Sequence, residues 1–132
     1  MTALLIAASA AVAALAVVRL GFLRVRVAGP SMLPTYRPGA RVLALRRGLG
    51  RPIRTGDVVV CRPPAGYDRR FTPLLVKRVA AMAGETGPAG RTVPPRHVFL
   101  LGDGPVSVDS RQFGPLPLGL VVARVVSPGA AD

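Results

Sequence analysis

The chain has 132 residues, and its 18 Lys and Arg residues against six Asp and Glu give a formal net charge of +12. One cysteine and one histidine exclude an internal disulfide, a multi-cysteine metal site and a His-rich zinc centre, so we predict neither a metal nor a cofactor. The length suffices for one compact domain behind an apolar N-terminal segment, and the 15 Gly and 14 Pro favour short strands over a helical bundle.

The apolar segment predicts a membrane anchor. Residues 2–18 carry no charge, and the apolar run resumes after Arg19 up to Leu23. About 20 such residues span a bilayer, so we predict an anchor helix over residues 1–23 and a domain over residues 24–132. A removable signal peptide is one alternative, because Ala8-Ser9-Ala10 resembles a cleavage site, although no basic segment precedes it. A buried or peripheral helix is the other.

The charges near the anchor bear on its orientation. Arg19, Arg24 and Arg26 all lie on its C-terminal side, and the positive-inside rule would therefore place the domain in the cytoplasm.

Short apolar runs between turns predict a mostly β domain, a barrel or coiled sheet. The turn Thr55-Gly56-Asp57 precedes one such run, and residues 62–73 read as a loop. The predicted strands are Val25–Val27, Arg41–Leu45, Val58–Cys61, Leu74–Met82, Val98–Leu101 and Leu120–Val126.

Ser31 and Lys77 are the candidate reactive residues. Lys77 is the single lysine, and it lies inside the apolar run 74–79. Because successive side chains of a strand point to opposite faces, Lys77 would face the core while Arg78 remains in solvent. A lysine in an apolar site can lose its proton and act as a base, which arginine cannot do. Ser31, in the turn after Gly29-Pro30, could be the nucleophile that Lys77 serves. The non-catalytic alternatives are that Lys77 is a surface lysine whose amine reaches solvent and that Ser31 is a turn or helix-capping serine.

A third polar cluster, residues 101–114, has neither helical nor strand periodicity and predicts a loop. Asp109 and Arg111 can pair and fix its shape, and Ser107 or Ser110 can hydrogen-bond an amine. An ordinary surface loop of Asp, Ser and Gly is the alternative.

Two other residues are weaker candidates. His97 could complete a Ser-His-Asp triad with Asp103 or Asp109, but it follows a proline turn and opens an apolar strand. Cys61 ends an apolar strand and is most simply a small buried hydrophobe.

These clusters, in this order, resemble the motifs of the type I signal peptidase family, the membrane-bound Ser/Lys proteases, over nearly the whole chain. The matching segments are Gly29-Pro30-Ser31-Met32-Leu33-Pro34-Thr35, Gly56-Asp57-Val58-Val59-Val60, Lys77-Arg78-Val79 through Gly84-Glu85, and Gly102-Asp103 with Ser107-Val108-Asp109-Ser110-Arg111 and Gly114.

The resemblance implies a β catalytic core behind one anchor helix, cleaving signal or leader peptides from precursor proteins after small residues. It implies Ser31 as nucleophile, Lys77 as general base, and Ser107 as the hydroxyl that orients the lysine. It also implies Asp109 with Arg111 as a supporting ion pair, with Ser110 beside it. The segment around the nucleophile, Pro30 and Met32, is expected to contact substrate, and the Ser31 N–H is expected to serve the oxyanion hole.

Departures from the pattern are confined to short segments. Gly104 stands where the family usually has Asn, Gly29 offers no hydroxyl, and residues 85–98 leave no room for an additional β-domain. The compact loop of residues 102–115 is similar to that of short members dedicated to one precursor, such as the maturation proteases of nickel superoxide dismutase. The family's usual location implies the plasma membrane, with the domain outside the cytoplasm.

Two other functions compete with this reading. A self-cleaving repressor would share the dyad but carry a DNA-binding domain, which is not evident here. A membrane-tethered basic binding module would use its arginines on nucleic acid or lipid. With 5% aromatic residues and no Trp, we predict no nucleic-acid partner and expect the arginines to contact anionic headgroups.

Overall fold

A single long helix opens the computed structural model, which describes residues 1–70 and 73–127. Helix α1, Thr2–Gly21, has a mean hydropathy of 2.3 and leaves its apolar side chains exposed. Its 20 residues correspond to about 30 Å, enough to cross the hydrocarbon core of a bilayer. The helix ends at Gly21, and the next residue, Phe22, already begins the first strand.

Seven strands form one antiparallel sheet with the order β1-β2-β7-β3-β4-β5-β6. This confirms the mostly β class with one N-terminal helix. The strands are β1 Phe22–Arg26, β2 Arg41–Arg46, β3 Val58–Cys61, β4 Leu75–Met82, β5 His97–Leu101, β6 Leu116–Pro117 and β7 Val121–Val125.

Both faces of the central sheet are covered. Val58 and Val60 of β3 belong to one apolar cluster, whereas Val59 and Cys61 belong to another on the opposite face. All four are buried, which explains why β3 is continuously apolar instead of alternating. The first cluster also contains Met32 and thereby fixes the loop between β1 and β2 to the sheet.

Most predicted strands differ from the observed ones by one residue at an end, and three elements differ more. Strand β1 begins three residues earlier and ends one residue earlier than predicted, because Phe22 and Leu23 already pair with β2. Strand β6, two residues long, was too short to be predicted. The segment 101–114 contains helix α2, Ser110–Phe113, which is one turn whose N-terminus is capped by Asp109. Residues 71 and 72 of the predicted loop 62–73 lie outside the described part of the chain.

Candidate active site

Ser31 lies in the loop between β1 and β2, on the wall of a cavity of about 430 Å³. The loop is anchored by Met32, which is fully buried and whose carbonyl accepts a hydrogen bond from the Tyr36 N–H at 2.9 Å. Gly29, with φ of +75°, lets the chain turn just before the serine. The turn therefore presents Ser31 to the cavity while the next residue holds the loop in place.

Lys77 lies on the same cavity and is 4% exposed. It pairs across the sheet with Val59, and its Nζ donates a hydrogen bond to Ser107 Oγ at 3.2 Å. Burial lowers the pKa of the Lys77 amine, although the charge of Asp109 opposes this. Within residues 1–70 and 73–127, Ser107 is the one hydrogen-bond partner of Nζ, so Ser31 and Lys77 share a cavity without being bonded to each other.

Ser107 is held by a buried carboxylate. Its hydroxyl donates to Asp109 Oδ2 at 2.9 Å, and the same carboxylate accepts the Gly102 N–H at 2.9 Å. Arg111 binds it through Nε and Nη2, both at 2.9 Å. Burial raises the pKa of Asp109, but these donors outweigh burial and bring it down to about 2. Because the Ser107 proton points to Asp109, the lone pairs of its oxygen face the lysine.

Ser110 has a different place from Ser107. It is buried, and its Oγ accepts a hydrogen bond from the Leu100 N–H at 2.9 Å. Of the two serines that could hydrogen-bond an amine, the structure brings Ser107 to the lysine and uses Ser110 to join helix α2 to strand β5.

A second ion pair, which the sequence did not predict, joins all four matching segments. Arg78 binds Asp103 through two hydrogen bonds of 2.8 Å, and Thr35 Oγ1 donates to the same carboxylate at 2.6 Å. Arg78 also donates to the Gly56 carbonyl at 2.7 Å. The alternation of side chains along the strand correctly predicted that Arg78 points away from Lys77. It could not predict the ion-pair partner of Arg78, because Asp103 lies 25 residues further along the chain.

Two glycines allow the loop that carries Ser31 to contact the segment after β5. Gly104 N–H donates to the Ser31 carbonyl at 2.8 Å, and a Cβ at Gly104 would lie 2.5 Å from the Pro30 carbonyl oxygen. A Cβ at Gly102 would collide with the Ser107 side chain. The glycine found where the family usually has Asn is therefore required by this close backbone approach.

The remaining candidates divide between the cavity and the core. Pro30 lines the cavity, whereas the Met32 side chain is fully buried and packs in the first apolar cluster. Cys61 is buried and its thiol pKa is raised to about 12 by that burial, as expected of a small hydrophobe. The His97 Nδ1 lies 2.9 Å from the Pro95 carbonyl, and the described contacts join it to neither Asp103 nor Asp109.

Comparison with known proteins places the chain in a family. The model of the family described as signal peptidase, peptidase S26, matches residues 1–87 and 86–129. The chain belongs to this family, which confirms the resemblance read from its motifs.

Its relatives include mitochondrial inner membrane protease subunit 1 of Schizosaccharomyces pombe, 37% identical over 75% of this chain and 68% of the relative. Mitochondrial ATP-independent inner membrane protease subunit 1b of Arabidopsis thaliana is 39% identical over 74% of this chain and 64% of its own length. Human mitochondrial inner membrane protease subunit 1 is 34% identical over 76% of this chain and 65% of its own length. The chain thus spans about two thirds of the length of these relatives. Their names and helix α1 support a membrane-anchored protein.

Proposed function

We propose that the protein is a membrane-anchored serine endopeptidase that removes signal or leader peptides from precursor proteins after small residues. Ser31 is the nucleophile and Lys77 the general base. The observation that carries the proposal is the buried Lys77 amine, which shares one cavity with Ser31 and is oriented by Ser107. A basic binding module would have no need of such an arrangement.

The proposed reaction begins with a neutral Lys77. Its amine takes the Ser31 hydroxyl proton as Oγ attacks the scissile carbonyl, and the resulting ammonium returns that proton to the leaving amine. Water then attacks the acyl ester, with Lys77 again accepting the proton, and Ser31 is regenerated. Ser107 and Asp109 restrict the amine to one direction throughout.

The Ser31 N–H is the proposed oxyanion donor. None of the residues that the structure describes accepts a hydrogen bond from it, although the Ser31 carbonyl is bonded to Gly104. A free N–H on the nucleophile itself, in a loop fixed by buried Met32, meets the requirement for a preorganised donor.

The cavity suits an extended apolar peptide. Arg26 and Tyr67 line part of the cavity, and none of the described lining residues is acidic. The other lining side chains near Ser31 and Lys77 are aliphatic; they are Val27, Ala28, Leu74, Leu75, Val76, Val106 and Val108. We propose that small substrate side chains enter between them, with Pro30 at the rim.

The division into an anchor of residues 1–23 and a peptidase domain of residues 24–132 follows from the same proposal. We place the domain outside the cytoplasm at the plasma membrane, as in the family's usual arrangement. The relatives are named for the mitochondrial inner membrane, and Arg19, Arg24 and Arg26 favour the opposite orientation.

Mass spectrometry of a signal-peptide precursor incubated in detergent with the full chain tests the proposal. We expect a single cut after a small residue with wild type and none with Ser31→Ala or Lys77→Met. Lys77→Arg should also be inactive, because a guanidinium keeps its proton. Asp68→Asn, which alters an exposed ion pair with Arg70, is the matched active control.

The outcome also separates the alternatives. Equal cutting by wild type and Ser31→Ala would refute the nucleophile. If folded wild type cuts no general precursor, the protein is either a peptidase dedicated to one precursor or a binding module. Trials with precursors encoded beside it would then distinguish these two.

A further inference from the structure

A second cavity, of about 320 Å³, lies apart from the Ser31 site, between the loop of residues 46–53 and strand β7. Four arginines contribute to its wall: Arg46, Arg47, Arg51 and Arg124. The other described lining residues are apolar or glycine, and none is acidic. Such a combination of cationic and apolar walls fits an amphiphile with an anionic head.

The loop of residues 46–53 lies against the end of the anchor helix. Arg46 Nε donates to the Leu20 carbonyl at 2.5 Å, and a Cβ on Gly21 would be 3.2 Å from Leu49 Cδ1. Because α1 is about as long as the hydrocarbon core is thick, its end at Gly21 reaches the boundary between lipid tails and headgroups. The loop is therefore held at headgroup level.

Leu49 forms an apolar tip on this loop. It is 45% exposed and lies between Gly48 and Gly50, whose φ angles of +95° and +70° allow the tight turn. An exposed leucine at headgroup level is stabilised where it enters the acyl boundary of a bilayer. Its neighbours Arg46 and Arg47 are exposed on the chain segment that carries this tip.

Some guanidinium nitrogens of these arginines have no hydrogen-bond partner among the described residues. Arg124 Nε is buried and has no hydrogen-bond partner in the described part of the chain. Arg47 uses Nε on the Val121 carbonyl at 2.9 Å, which leaves its terminal nitrogens available. Among the described residues, Asp57 is the one carboxylate that forms an ion pair with any of the four arginines, at 2.7 Å from Arg51. A phosphate can accept several such donors at once.

We propose that this cavity binds the phosphate of an anionic phospholipid headgroup, with Leu49 inserted in the acyl boundary and Arg46, Arg47 and Arg124 as donors. The site would fix the rotation of the domain relative to the membrane surface. It does not depend on the proposed peptidase function, because none of its residues lines the Ser31 cavity.

A tryptophan reporter tests the site, since the chain has no Trp. The full chain carrying Leu49→Trp is reconstituted into phosphatidylcholine vesicles that contain either brominated phosphatidylglycerol or brominated phosphatidylcholine. We expect half-quenching at a roughly fivefold lower mole fraction of the anionic bromolipid, the preference given by one well-placed cation at low salt. Adding Arg124→Gln should reduce this preference to about twofold or less, whereas Arg124→Lys should retain most of it.

The controls keep the result specific. Arg91→Gln removes an exposed arginine elsewhere on the domain and should leave the preference unchanged, with melting curves verifying that each variant is folded. Equal quenching by the two bromolipids, no quenching by either, or a preference unaffected by Arg124→Gln would each overturn the proposal. Loss of the preference on adding inorganic phosphate would instead assign the cavity to a soluble anion.

Discussion

Lys77 illustrates how much of the site depends on the environment of one side chain. Its amine is enclosed by strand β4, Val59 and Ser107, and the removal of water favours the neutral form. The negative charge of Asp109 raises the lysine pKa, but that carboxylate is also bound by Arg111 and by a backbone N–H. The balance leaves the pKa of Lys77 below that of an ordinary lysine.

Because Lys77 is the only lysine, its titration can be observed directly. A chain labelled with ¹³Cε-lysine should give one lysine NMR signal in detergent micelles, and that signal should titrate below the ordinary lysine pKa of about 10.4. Asp109→Asn should lower the midpoint further, since the carboxylate charge raises the pKa. A midpoint at or above 10.4 in wild type would show that burial is not the dominant effect.

Gly104 is the second residue whose identity is dictated by its surroundings. We expect Gly104→Ala to lower the free energy of unfolding by about 1–3 kcal/mol and to reduce kcat, because the new Cβ would displace the Pro30 carbonyl beside Ser31. Gly119→Ala is the matched control, since a Cβ there would meet nothing within 4 Å. Melting curves and cleavage rates check both; equal effects of the two substitutions would contradict the assignment.

At the scale of elements, helix α2 and the strands around it convert a polar loop into a rigid support. The Asp109 carboxylate caps α2 by accepting a hydrogen bond from the Arg111 N–H, and Gln112 Oε1 accepts one from the Asp109 N–H. Ser110 joins the helix to β5. The same Asp109 carboxylate holds Ser107. The short helix α2 thus connects the sheet to Ser107, which is hydrogen-bonded to Lys77.

The capping carboxylate predicts an acid-sensitive element. The folded pKa of Asp109, about 2, lies below its ordinary value of 3.8, so its stabilisation is present above pH 3.8 and is lost as the pH falls through 2. The shift corresponds to about 2 kcal/mol. The difference in unfolding midpoint between wild type and Asp109→Asn should therefore be large at pH 7 and disappear toward pH 2, as circular dichroism melts would reveal.

The control for this prediction is Asp68→Asn, which removes a carboxylate from the exposed pair with Arg70. It should change the melting midpoint little at any pH. An Asp109→Asn difference that persists unchanged at pH 2 would show that packing, and not the charged cap, accounts for the stabilisation.

The elements that sequence predicted well were those with a local signal. Strand β3 was predicted with its exact bounds, and β4 differed by one residue, because apolar runs between turn residues mark them clearly. Helix α2 was missed because a four-residue helix has no periodicity, although Asp109 followed three residues later by Gln112 is a capping box that could have indicated it. Long-range pairing, such as Arg78 with Asp103, leaves no local pattern to read.

At the scale of the whole molecule, the sheet brings distant motifs to one cavity beside an anchor. Ser31, Lys77 and Ser107 come from the β1–β2 loop, strand β4 and the segment after β5, and antiparallel pairing of β4 with β5 places the last two side by side. The helix leads directly into β1, so the peptidase core is held close to the membrane. An orienting contact such as the arginine cavity would then set how a precursor approaches.

The most direct test of the proposed Ser/Lys mechanism is the pH dependence of kcat/KM for a precursor that wild type cleaves. We expect the rate to rise with pH along a limb whose midpoint matches the Lys77 titration seen by NMR, because the neutral amine is the active form. Circular dichroism at each pH verifies that the fold is intact. A rate that does not change between about pH 6 and 9 would contradict a lysine base.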